Sequence, residues 1–128
     1  MNFTWPSILA VGSGGFIGAV LRFYVALTIS KAYPSNIPLA TLSVNIVGSF
    51  LIGILAAIFI TYTPSNELRA FLVVGFLGAL TTYSTFAIET FELFNTSFTL
   101  ALINILLNVI GTIVSVAIGY KLFIYILR

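Results

Sequence analysis

Four apolar runs, each long enough to cross a bilayer, leave this chain little freedom of fold. They extend roughly from Ser7 to Ser30, Leu39 to Tyr62, Leu68 to Phe94 and Phe98 to Leu127. A spanning helix needs about 20 mostly apolar residues, so 128 residues hold four such helices and short loops. Charged residues make up 6% of the chain, against about 25% in soluble domains. That is too few to clothe a water-facing surface, so lipid is the expected outer solvent. The expectation is one all-α membrane domain over residues 1–128, with no separate soluble catalytic domain.

The connections read as short turns. Trp5 and Pro6 mark an interfacial start for the first helix. The segment Lys31-Ala-Tyr-Pro-Ser-Asn-Ile-Pro38 carries two prolines, and Thr63-Pro-Ser-Asn-Glu67 offers Ser65 or Asn66 as a helix cap. Asn95-Thr-Ser97 is so short that its flanking helices should be antiparallel neighbours. No basic segment precedes the first apolar run, so that run is expected to remain as a helix rather than be cleaved as a signal.

Four spans place both termini on one side, with Arg69, Arg128 and Lys121; the other side has Lys31. Loop Lys/Arg bias sets orientation, and here it barely differs. Two readings stay open: insertion in both directions, with pairing of inverted copies, or one orientation fixed by something the count misses. Gly14 with Gly18, Ser49 with Gly53, and Gly111 with Gly119 are spaced for close helix approach, which ordinary packing explains.

Function classes narrow by inventory. The chain has no cysteine and no histidine, which excludes disulfides, Cys/His metal centres and Ser-His or Cys-His catalysis. A net charge of +2 gives no nucleic-acid footprint.

The third run departs most from a plain greasy helix. Gly75-Phe-Leu-Gly-Ala-Leu-Thr-Thr-Tyr-Ser-Thr-Phe-Ala-Ile-Glu89 contains two glycines, a cluster of hydroxyls and a carboxyl. Polar groups at membrane depth are costly, and irregular backbone survives there only where protein or water satisfies it. The step Gly78-Ala-Leu-Thr81 predicts either a helix break with freed carbonyls or a kink filled by threonine hydroxyls. Other polar residues at depth are Arg22, then Thr41, Ser43, Asn45 and Ser49, then Asn104, Asn108, Thr112 and Ser115. Asn45 and Ser49 share a helix face, as do Asn104, Asn108 and Thr112. Such stripes are interhelical glue or the lining of a hydrated path. Amide and hydroxyl donors suit a small anion better than a cation. Arg22 is a structural post or an anion contact. Glu89 is a buried hydrogen-bond partner or part of the path.

Three ordered blocks now carry a resemblance: Gly12-Ser-Gly-Gly-Phe-Ile-Gly-Ala-Val-Leu-Arg22, Thr41-Leu-Ser-Val-Asn-Ile-Val-Gly-Ser-Phe-Leu-Ile-Gly53, and Gly75 through Phe86. Together they resemble the Fluc (CrcB) family of fluoride channels over essentially the whole chain. The resemblance implies a passive fluoride pathway in a bacterial inner membrane, and an antiparallel, dual-topology homodimer with two pores. It implies pore roles for Asn45, Tyr83, Ser84, Thr85, Phe86, Glu89, Asn104, Asn108 and Thr112. Arg22 matches a structural or vestibule arginine. A central sodium ion would be held by the main-chain carbonyls of Gly78 and Thr81. Tyr83 departs from the family's usual phenylalanine. An aromatic ring edge carries positive quadrupole, and tyrosine adds a hydroxyl donor to it.

The alternative is a small dual-topology, proton-coupled exporter of the small multidrug-resistance type. That function expects a carboxylate in the first span, where this chain has Arg22. A non-conducting scaffold would explain the glycines but leave the polar stripes without a role.

Overall fold

A computed structural model of the chain describes residues 3–126. Arg128, used above in weighing orientation, and Leu127 lie outside the described residues. Four helices are long and apolar enough to span a membrane: Trp5–Ala32, Leu39–Thr61, Asn66–Thr96 and Phe98–Ile126. No strand occurs among the described residues. The first helix, α1 (Trp5–Ala32), is capped by Thr4, whose hydroxyl accepts from the Ser7 N–H, and Pro6 sits in its first turn. The second, α2 (Leu39–Thr61), follows the Tyr33–Pro38 turn.

The third span is composite. It comprises α3 (Asn66–Arg69), a π-helical stretch (Ala70–Leu77), α4 (Gly78–Leu80) and α5 (Tyr83–Thr96). Ser65 caps its start through the Leu68 N–H. Thr81 (φ −80°, ψ 156°) and Thr82 (φ −150°, ψ 114°) are extended and interrupt the helix near its middle. The break thus lies at the end of the Gly78–Thr81 step. The wide π turn before it has no counterpart in the sequence reading, because Ala70–Leu77 is uniformly apolar. The fourth span is α6 (Phe98–Ile126), separated from α5 by Ser97 alone. Thr90 and Asn104, equally far from Ser97 in sequence, meet through a hydrogen bond, as in a helical hairpin.

Two tight pairings organise the bundle: α1 lies along the π stretch, and α2 lies along α6. Glycine permits both. A Cβ on Gly18 would collide with the Phe76 carbonyl oxygen, and one on Gly75 would sit 2.6 Å from the Val11 carbonyl oxygen. Gly53 and Gly119 play the same part between α2 and α6, against the backbones of Val116 and Phe50. Van der Waals contact at this range is what holds helices together in lipid. The buried cluster Val44, Leu77 and Leu80 packs directly before the break, with Leu51, Ile52 and Phe76 against it. Large side chains such as Phe16, Ile113 and Phe91 stay exposed, as lipid-facing residues should.

A polar groove at the helix break

The break creates a local electrostatic pattern. A helix end leaves its last carbonyls and its first N–H groups without helical partners. Among the described residues, no hydrogen bond reaches the carbonyls of Gly78, Ala79, Leu80 or Thr81. Immediately beyond, Thr82 caps α5 by accepting the Thr85 N–H at 3.2 Å. The N–H groups of Tyr83 and Ser84 remain free. Oxygen atoms that attract a cation thus adjoin a helix N-terminus that attracts an anion.

Asn45 splints the interruption. Its Oδ1 accepts the Thr82 N–H at 2.8 Å, and its Nδ2 donates to the Thr82 carbonyl at 3.2 Å. One side-chain amide thus replaces a ladder of backbone bonds. Asn45 Nδ2 also donates to Asn108 Oδ1 at 3.1 Å. Asn108 Nδ2 in turn donates to the side-chain and main-chain oxygens of Asn104, each at 3.1 Å. Asn104 Nδ2 donates to the Thr90 hydroxyl at 2.9 Å, and that hydroxyl donates to the Phe86 carbonyl at 2.6 Å. A continuous polar chain therefore ties α2, α5 and α6 to the break.

Beside this chain lies an open groove of about 390 Å³, whose polar wall is Asn45, Ser49, Thr81, Thr82, Asn108 and Thr112. Its aromatic wall is Tyr83 and Phe86, with ring centroids 5.4 Å apart and planes at 60°. Gly78 also lines it, and no carboxylate or cation does. Beyond the two rings is a second groove, walled by Phe91 and Phe94. Tyr83 is 79% exposed, so one side of the aromatic wall has no neighbour in a single copy.

The site residues expected from sequence do not all meet. Asn45, Tyr83, Phe86, Asn108, Thr112, Gly78 and Thr81 share the groove. Thr85 and Arg22 line a separate recess of about 290 Å³ with Thr41 and Thr82. Thr82 is the one residue common to both. Ser84 is exposed, its hydroxyl 3.4 Å from that of Thr82. Glu89 accepts from the Thr41 hydroxyl at 2.8 Å through Oε1, while its Oε2 is buried without a partner. Asn104 is wholly enclosed and lines neither space.

Three residues matter more than sequence reasoning indicated. Thr82 stood among the hydroxyls, and its capping role was legible only as a threonine three positions before another helical residue. Thr90 carried no signal beyond its place on the buried face of α5. Gly48 gave no sign of its contact with the break, where a Cβ would meet the Thr81 side-chain methyl.

Relatives described as fluoride-specific ion channel FluC include one from Sulfurimonas denitrificans, 55% identical over 91% of this chain and 92% of its own. Another, from Nautilia profundicola, is 45% identical over 91% and 93%. A third, from Methanococcus maripaludis, is 44% identical over 88% and 91%. The family model described as CrcB-like protein, Camphor Resistance (CrcB), matches residues 9–120. These matches make the chain a member of the CrcB family.

Proposed function

We propose that this chain is a passive, fluoride-selective channel of the plasma membrane. The observation that carries the reading is the uncharged groove at the Thr81–Thr82 break, with hydroxyl and amide groups on one side and the Tyr83–Phe86 ring pair on the other. A small, strongly hydrated anion needs replacement donors at every step, and ring edges add positive potential. The adjoining N-terminus of α5 acts in the same direction. The description of the relatives as fluoride-specific channels supports the choice of ion. It speaks against the proton-coupled exporter, as does Arg22 in the first span. Fluoride that enters as neutral HF and ionises inside needs only a downhill exit, so no coupling is required.

The working form is an antiparallel homodimer. A groove open along one side and an aromatic wall with an unmatched face both need a second copy, and the near-even Lys/Arg distribution permits inverted insertion. The same pairing gives sodium a place. The carbonyls of Gly78 and Thr81 are free of donors, and freed carbonyls at a broken membrane helix suit this hard cation. The described residues contain no cluster of three His, Cys, Asp or Glu side chains that would hold a metal instead. A bound sodium would fix two inverted breaks to each other; this chain's own residues line the groove.

The test is efflux from liposomes into a fluoride electrode. Rapid release without proton movement is expected; absence of fluoride release overturns the reading. Crosslinking between inverted copies, or activity of tandem fusions joined in inverted orientation, tests the dimer. Replacing sodium by a large organic cation tests the central ion.

A further inference from the structure

The polar chain that ties the break to its neighbours is a closed loop with a direction. It starts at the Thr82 N–H, which Asn45 Oδ1 accepts at 2.8 Å. Asn45 Nδ2 donates to Asn108 Oδ1 at 3.1 Å, and Asn108 Nδ2 donates to Asn104 Oδ1 at 3.1 Å. Asn104 Nδ2 donates to the Thr90 hydroxyl at 2.9 Å, and that hydroxyl returns to α5 by donating to the Phe86 carbonyl at 2.6 Å. A backbone N–H only donates and a backbone C=O only accepts, so the two ends fix the sense of every link between them. The loop leaves the cap of α5, passes through α2 and α6, and closes one turn further along the same helix.

We infer that Thr90 is a positioning residue for the groove: its hydroxyl closes this loop and clasps the first turn of α5, with the Phe86 ring that the turn carries, against α6. A threonine that bonds the carbonyl one turn back is common in helices and bends them slightly. Two observations set Thr90 apart. Its hydroxyl also accepts from Asn104, a fully enclosed amide, so one oxygen joins two helices. The carbonyl it holds belongs to Phe86, the buried member of the ring pair, whereas Tyr83 is exposed. Thr90 lies behind the rings, on the second groove and not on the one at the break, so it acts through Phe86. A hydroxyl has one proton, and the Phe86 carbonyl takes it, which leaves the oxygen lone pairs for Asn104. For conduction the inference rests on the fluoride reading above; the loop itself does not.

Thr90→Val keeps the shape of the side chain and removes both bonds, whereas Thr90→Ser keeps the hydroxyl and removes only a methyl. Each full-length variant is measured by fluoride efflux from liposomes. In parallel, the ring is read by ¹⁹F resonance in detergent, with 4-fluorophenylalanine placed at position 86. Thr90→Val should shift or broaden the ring signal and lower flux by about threefold to tenfold, the scale of one lost hydrogen bond. Thr90→Ser should restore the wild-type signal and bring flux back to within about twofold. Asn104→Ala opens the same loop one link away and should reproduce the ring signal of Thr90→Val, which decides the matter even where the valine variant is not recovered. A wild-type ring signal in Thr90→Val or in Asn104→Ala overturns the assignment. So does a serine variant that behaves as the valine one, because the methyl rather than the hydroxyl would then matter. A wild-type protein that releases no fluoride refutes the fluoride reading alone, and the ring signal still decides the loop.

Discussion

Truncating Asn45 should cost more stability than truncating Asn104, although Asn104 is the more deeply buried of the two. Asn104→Ala removes the bond to Thr90 and the bond from Asn108, yet it orphans neither partner. Thr90 still donates to the Phe86 carbonyl at 2.6 Å, and Asn108 keeps the residue 104 main-chain oxygen at 3.1 Å. Interhelical hydrogen bonds in membranes average about 0.6 kcal/mol, the scale of the Asn104–Thr90 bond; with the Asn104–Asn108 bond inside α6 put at the same value, the two cost about 1.2 kcal/mol. A closed cavity of roughly 30 Å³ adds about 0.7 kcal/mol, for a total near 2 kcal/mol. Asn45→Ala is different. It strands the Thr82 N–H, which has no helical acceptor, and the Asn108 Oδ1. Each buried orphan costs about 1–3 kcal/mol, for a total near 4 kcal/mol. The gap of about 2 kcal/mol corresponds to roughly 8 °C in melting temperature for a chain of this size. Thermal denaturation in detergent, followed by size-exclusion recovery, reads it directly. Equal shifts, or a larger shift for Asn104→Ala, would refute the role of Asn45 as a splint.

Other substitutions probe the remaining contacts. Gly48→Ala drives a Cβ into the Thr81 methyl, whose rotamer is fixed by the hydroxyl's bond to Leu77. Protein should still be recovered, but fluoride flux should fall at least about tenfold as the break shifts; unchanged flux would detach the break from conduction. Gly18→Ala faces a backbone carbonyl that cannot swing aside, so little folded protein should survive purification, and normal yield would refute the close approach of α1 to the π stretch. Thr41→Val deprives Glu89 of its one donor and leaves both carboxyl oxygens unpaired. It should cost about 1–3 kcal/mol, whereas Glu89→Gln, which keeps an acceptor for Thr41, should stay within about 1 kcal/mol. Comparable melting temperatures for these two variants would show that the pair does not bear on stability.

The four spans were legible because hydropathy alone determines which segments can lie in lipid, and the observed ends of the first three and the start of the fourth fall within two residues of those expected. The break was legible from glycine and clustered hydroxyls, since a helix interrupted in lipid must carry its own replacement partners. Its splint was not. Asn45 and Thr82 are 37 positions apart, and no local pattern ties an amide on one helix to a particular N–H on another. The same limit explains the asparagine stripe. Spacing placed Asn104, Asn108 and Thr112 on one face of α6, and that much holds. Whether a stripe faces a groove or a neighbouring helix depends on what packs against it, and Thr90 of the adjoining hairpin arm closes over Asn104. One stripe therefore changes character along its length, from enclosed brace at Asn104 to groove wall at Thr112.

That change has a consequence for reading polar residues in small channels. In a protein this short, the residues that attract attention in a sequence, such as amides at membrane depth, are also those best able to satisfy interrupted backbone. Each bond they make to the scaffold removes a donor from the ion. Asn45, with all of its amide hydrogens engaged, is the extreme case. The useful quantity is therefore the number of unspent donors facing the groove rather than the number of polar residues near it. By that measure Asn45, which bonds both the N–H and the carbonyl of Thr82, is spent on holding the broken helix in shape.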